Sequence, residues 1–151
     1  MRTTSSNPTP APARILLVDD NRYGLLARRS VLEELGYEIT AASDPLDAMG
    51  PLDQGTFDLV ITDYKMPHMD GLAFIQHLRA KQADLPIILI SGFVEALGLC
   101  EANTGADLVI QKSSNEVQQL VRAVQRLLKR KTPKKPATPE RPAPKAKRQG
   151  A

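Results

Sequence analysis

Four apolar runs of this sequence each end on a residue type capable of chemistry. Ile15-Leu16-Leu17-Val18 is followed by adjacent carboxylates, Asp19 and Asp20. Leu59-Val60-Ile61 leads to Asp63, the run Pro86 to Ile90 leads to Ser91, and Leu108-Val109-Ile110 ends near Lys112. Taken singly, each has an ordinary explanation: Asp19-Asp20 as turn and cap residues, Asp63 as the start of a turn closed by Pro67, and Lys112 as a loop lysine. Brought to one place, they mean more. Three carboxylates in a small volume repel, and without compensation at least one pKa rises. A hard divalent cation removes the conflict, and Mg²⁺ prefers a few carboxylate oxygens completed by water and phosphate oxygens. The pattern points to a half-filled Mg²⁺ shell awaiting a phosphoryl group.

The elements that must position these residues follow from periodicity. The four runs, with a fifth strand over Tyr37 to Ala41, read as continuous apolar strands buried on both faces. Between them lie amphipathic stretches. Ala27, Val31 and Leu35 mark one helix stripe, ended by Gly36 where a C′ glycine belongs. Asp44-Pro45 starts a second helix as cap and first residue, and Asp70-Gly71 leads into a third marked by Leu72, Ile75 and Leu78. A short helix is expected from Val94, weakened by Gly98, and Val117, Leu120, Val121, Val124, Leu127 and Leu128 form the stripe of a last helix. Five strands alternating with five helices give an α/β fold, a doubly wound parallel sheet. In the order 2-1-3-4-5, strands 1 and 3 are neighbours, and a ligand binds beyond their carboxyl ends.

LLVDDN (16–21), DYKMPHMDG (63–71), LPIILISG (85–92) and Lys112 together resemble the receiver domain of two-component response regulators, of the single-domain, chemotaxis-regulator-like kind with a flavodoxin-like fold. The resemblance runs over 14–128, about 115 positions. It implies that Asp63 takes a phosphoryl group from the phosphohistidine of a sensor histidine kinase or phosphotransfer protein, forming an acyl phosphate. It implies that Asp20 ligates Mg²⁺ directly, Asp19 largely through water, and Lys65 through its backbone carbonyl. Ser91 would hydrogen-bond the phosphoryl oxygen and Lys112 would pair with it. Two positions depart from the family pattern. Ser113 stands where proline usually follows the lysine in a cis peptide, so a trans bond is expected here. Val109 stands where the family usually has Tyr or Phe, which swings inward on activation. Phe93, two residues after Ser91, is the nearest aromatic available for that switch.

Composition sets the remaining bounds. Of 20 Lys/Arg and 17 Asp/Glu, the stretch 129–151 holds nine basic residues and one acid, +8, leaving eleven basic and sixteen acidic residues, −5, in the rest. Residues 1–13 and 129–151 are rich in Pro, Ser, Thr and basic residues and are expected to be disordered tails around the domain at 14–128. Pro133, Pro136, Pro139 and Pro142 match the polyproline II period, and the basic tail could attract nucleic acid or another anionic surface. The single cysteine, Cys100, excludes an internal disulfide and reads as a small core residue. No signal-like apolar region and no transmembrane segment is present, so a cytoplasmic location is expected. No dinucleotide or P-loop motif occurs. A hydrolase with an aspartate nucleophile is a poorer fit, since such enzymes commonly show Asp-x-Asp after the first strand. Asp44 and Asp70 read as helix caps, and His68 and His77 as solvated. The leading expectation is a phosphoacceptor that signals through contacts with a downstream protein partner and is no enzyme beyond its own phosphorylation and dephosphorylation. The alternatives are a receiver-shaped binding module with vestigial phosphorylation, and an anionic-polymer binder acting through the tail.

Overall fold

The computed structural model describes residues 11–131. In chain order the elements are β1 (Arg14–Val18), α1 (Arg22–Glu34), β2 (Glu38–Ala42), α2 (Pro45–Gln54), β3 (Leu59–Asp63), α3 (Gly71–Lys81), β4 (Ile87–Ser91), α4 (Val94–Leu97), α5 (Glu101–Thr104), β5 (Leu108–Gln111) and α6 (Glu116–Lys131). The five strands form one parallel sheet in the order β2-β1-β3-β4-β5, as the alternation of strands and helices predicts. Every residue of β3 and β4 is buried, which is why these strands read as unbroken apolar runs.

Strand residues of alternate parity feed two cores, one on each face of the sheet. Leu16, Val18, Val60, Ile87 and Leu89 join Phe74, Ile75 and Leu78 of α3 and Ala48 of α2. Ile15, Leu17, Leu59, Ile61, Ile88, Ile90 and Ile110 join Leu32 of α1 and Leu120, Ala123, Val124 and Leu127 of α6. The α6 stripe matches its periodicity, and the helix continues to Lys131, past the expected boundary at 128. The expectations for residues 1–10 and 132–151, including the proline period and the basic tail, lie outside the described residues.

Three local expectations fail. On α1 the inward positions are Leu25, Arg28 and Leu32, whereas Ala27 is exposed and Leu35 is 47% exposed. The stripe was read out of phase because one of its buried members is an arginine. The helix expected from Val94 is split: Gly98, at φ +63°, ends α4 after one turn, and α5 is a second single turn before Gly105. Glycine enters this left-handed conformation without the steric cost other residues meet, so it stops the helix cleanly. Cys100 lies at this junction and is exposed rather than in the core.

Candidate functional site

The carboxyl ends of β1, β3, β4 and β5 form one rim, and the register places the reactive residues on it. Val18 pairs with Thr62, so Asp19 and Asp63 follow side by side one step beyond that pair. Asp63 pairs with Ile90, and Ser91, the next residue, pairs with Gln111, immediately before Lys112. One carboxylate oxygen each from Asp19, Asp20 and Asp63 lies within 4.8 Å of the others. Asp19 and Asp63 are 1% and 7% exposed, while Asp20 faces solvent. The cluster is thus walled by two buried acids and open on the side of the third.

Electrostatics follow directly. Burial and the neighbouring Asp19 charge push the Asp63 carboxyl up to about 6, against the opposing pull of Lys112 and of the Tyr64 N–H. Lys112 Nζ is 3.2 Å from Asp63 Oδ2, and Tyr64 N–H donates to Asp63 Oδ1 at 2.8 Å. Lys112, with Arg28 shared between Asp19 and Glu116, does not neutralise the three acids, so the donor set is short of positive charge. Hard oxygen donors, open access and excess negative charge fit Mg²⁺.

The loop from Asp63 to α3 is held by a close approach. Gly71 N–H donates to Tyr64 O at 2.6 Å, and a Cβ at Gly71 would lie 2.5 Å from Asp63 O. Only glycine lets the chain return this tightly beneath Asp63. Asp70 caps α3 by accepting from Ala73 N–H at 2.9 Å, and Asp44 caps α2 through Leu46 N–H at 2.7 Å, as expected. Asp44 has a second partner that the sequence did not reveal: His68 Nδ1 lies 2.7 Å from its Oδ2. His77 is also not simply solvated, since its Nε2 is buried without a hydrogen-bond partner.

On the β4–β5 side, Ser91 is fully buried and its Oγ accepts from Phe93 N–H at 2.9 Å. Phe93 is 40% exposed, with Lys65 Nζ 5.4 Å from its ring centre and the Tyr64 ring 6.3 Å away at a tilt of 56°. Lys65 itself is exposed in the β3–α3 loop. Val109 is half-buried and packs on the α2–α3 core. No described peptide bond is cis, so Lys112–Ser113 is trans. Sequence reasoning missed Gln111, whose side chain accepts from Glu95 N–H at 3.3 Å and donates to Gly92 O at 3.2 Å, tying β5 to α4. It also missed Arg28, which is buried and bonded to Asp19 and Glu116. No local signal marks Gln111, and the charge of Arg28 hides its inward place between Leu25 and Leu32.

A family model described as the response regulator receiver domain matches residues 15–125. The chain belongs to that family. Its fold is shared with TrrA, a response regulator of Thermotoga maritima solved in complex with Mg(2+)-BeF, at 33% identity over 76% of this chain and 98% of that one, TM-score 0.68. The receiver domain of a sensor histidine kinase from Pseudomonas aeruginosa, solved with a magnesium ion coordinated in the active site cleft, is 25% identical over 79% of this chain and 99% of that one, TM-score 0.70. Among curated proteins, the response regulator MprA of a Mycobacterium species is 32% identical over 81% of this chain and 53% of its own length. The gliding motility regulatory protein of Myxococcus xanthus is 29% identical over 83% of this chain and only 17% of its own length. This receiver domain therefore spans a fraction of the curated relatives it matches. No helix among the described residues is long and apolar enough to cross a membrane.

Proposed function

We propose that this receiver domain is the phosphoacceptor of a two-component phosphorelay, modified on Asp63 in a Mg²⁺-dependent reaction with a sensor histidine kinase or phosphotransfer protein. The observation that carries the reading is the cluster of three carboxylates within 4.8 Å together with Lys112 at 3.2 Å from Asp63. Asp63 Oδ attacks phosphorus, the donor's nitrogen–phosphorus bond breaks, and the departing imidazole regains a proton. Asp19, Asp20, Asp63 and the Lys65 carbonyl would hold Mg²⁺, which would supply charge neutralisation to the transferred group. Lys112 exchanges its Asp63 contact for a phosphoryl oxygen, and the Ser91 hydroxyl donates to another. Such a loose transfer demands positioning and charge compensation more than covalent chemistry.

Incubation with Mg²⁺ and acetyl phosphate followed by intact-mass measurement tests this. One labile phosphoryl adduct, lost in Asp63→Asn, is the expected result; a wild-type chain that gains no mass from either acetyl phosphate or a kinase overturns it.

Signalling to a protein partner requires the rim to report its state, and here the reading relies on Phe93. Ser91 Oγ accepts from Phe93 N–H, so turning that hydroxyl toward a phosphoryl group loosens the start of α4. Val109, with one favoured rotamer, contributes no swinging ring. Phe93→Leu keeps that N–H but removes the ring that the loosening would release, so it should leave adduct yield intact and abolish phosphorylation-induced amide shifts in β5 and α6. Unchanged shifts would exclude Phe93 as the reporter.

A further inference from the structure

Helix α1 carries a buried guanidinium that none of these roles uses. Arginine is almost never fully buried unless its charge is matched, yet Arg28 is 5% exposed. Its partners come from distant parts of the chain. Nη1 donates to Asp19 Oδ2, while Nε at 2.9 Å and Nη2 at 2.6 Å donate to Glu116 Oε2 in the first turn of α6. In these pairs the Asp19 and Glu116 side chains are 1% and 15% exposed. Burial opposes the Arg28 charge, but Glu116 and Asp19 outweigh it and hold the guanidinium above its usual range.

The backbone makes room for this assembly. A Cβ on Gly24, one helical turn before Arg28, would lie 3.1 Å from Arg28 Nη1 and 3.2 Å from Asp19 Oδ2. Glycine in a helix costs about 1 kcal/mol relative to alanine. Its presence in α1 is explained by the space that the ion pair occupies.

Asp19 is therefore shared between two cation sites. It belongs to the cluster with Asp20 and Asp63, yet one of its oxygens receives Arg28 and the other accepts from Asn21 N–H at 2.9 Å. Any cation entering the cluster meets a carboxylate that is already engaged.

We propose that Arg28 is a built-in counter-ion of the acidic pocket, which competes with a divalent cation for Asp19 and passes the pocket's occupancy to the first turn of α6 through Glu116. The proposal rests on the reading of Asp19, Asp20 and Asp63 as a Mg²⁺ shell. Two cations that draw on one carboxylate also repel each other, and each weakens the other's hold by the same factor. Glu116 has the contrary effect: it takes a share of the Arg28 charge and so eases its grip on Asp19. Removing the arginine and removing the glutamate must then shift metal affinity in opposite directions, which a merely structural role would not produce.

Calorimetric titration of Mg²⁺ into the full chain and its variants decides the matter. Arg28→Met should tighten binding roughly tenfold, and Glu116→Gln should weaken it roughly threefold, since a unit charge a few ångströms away in a half-buried site counts for this much or more. Arg28→Lys should fall between wild type and Arg28→Met. The Glu116 amide resonance should shift on Mg²⁺ addition in wild type and stay still in Arg28→Met. If Arg28→Met does not fold, Glu116→Gln decides by itself. Affinity unchanged or weaker in Arg28→Met, or unchanged or tighter in Glu116→Gln, overturns the role of Arg28 while leaving the metal shell standing. Absence of divalent binding by the wild type overturns both.

Discussion

On the β1–β3 side of the rim, like charges are forced together: Asp19 and Asp63 are buried, and Asp63 is pushed up to about 6. On the β4–β5 side, the polar groups are already satisfied: Ser91 Oγ is bonded to Phe93 N–H, and Gln111 ties β5 to the start of α4. One side stores a repulsion between carboxylates that a bound cation would relieve. The other is a set of modest hydrogen bonds, each already made. A ligand-driven switch needs this asymmetry, because only a difference in interaction between two states moves an equilibrium. The two sides also differ in how far they follow the family pattern. Asp19, Asp20 and Asp63 all follow that pattern, whereas on the β4–β5 side Ser91 and Lys112 follow it but Val109 and Ser113 depart from it.

The largest effect is expected from removing the cation that joins the two sides. Lys112→Ala should slow phosphoryl uptake from acetyl phosphate by about a hundredfold or more, the scale seen when a preorganised charge partner is lost, as read by the rate of adduct formation. A rate within a few-fold of wild type would place the chemistry on the β1–β3 side alone.

A smaller effect concerns stability. Asp63 has a folded pKa raised to about 6 from 3.8, so its contribution to stability is present below the lower value and is lost as pH rises through the upper one. Without Mg²⁺, Asp63→Asn should therefore nearly match wild type near pH 4 and become more stable by about 3 kcal/mol above pH 6. Mg²⁺ at pH 7.5 should narrow that gap. A gap that is constant with pH in thermal melts would mean that the acids are not held in conflict.

The smallest effect belongs to the satisfied side. Gln111→Ala should cost about 1 kcal/mol and speed amide exchange around residues 93–98, with adduct yield unchanged. A fall in yield would show that the two sides are not separable.

Much of this was legible from residue order. Strands buried on both faces announce themselves as apolar runs, and the residues that end them had to meet at one edge once the crossovers were right-handed. Gly36 carried its turn in its type, whereas Gly98, which the pattern marks only as a weak point in a helix, did not disclose that α4 and α5 are separate turns. Gln111 was invisible because nothing in a strand-end glutamine says which helix it will bind. The binding of Arg79 to Gly105 O and Asp107 was hidden in the same way, because α3 meets the α5–β5 turn only in three dimensions.

Arg28 shows where the division lies. By itself the sequence determined the sheet, its faces and the carboxylates at its rim, since apolar periodicity and strand ends are local properties of the chain. Only the tertiary structure decided that a charged residue takes an inward place on α1. Its burial depends on Asp19, nine residues away, and Glu116, 88 residues away. Hydrophobic pattern infers burial from residue type, and it fails where a distant opposite charge supplies what water would otherwise give.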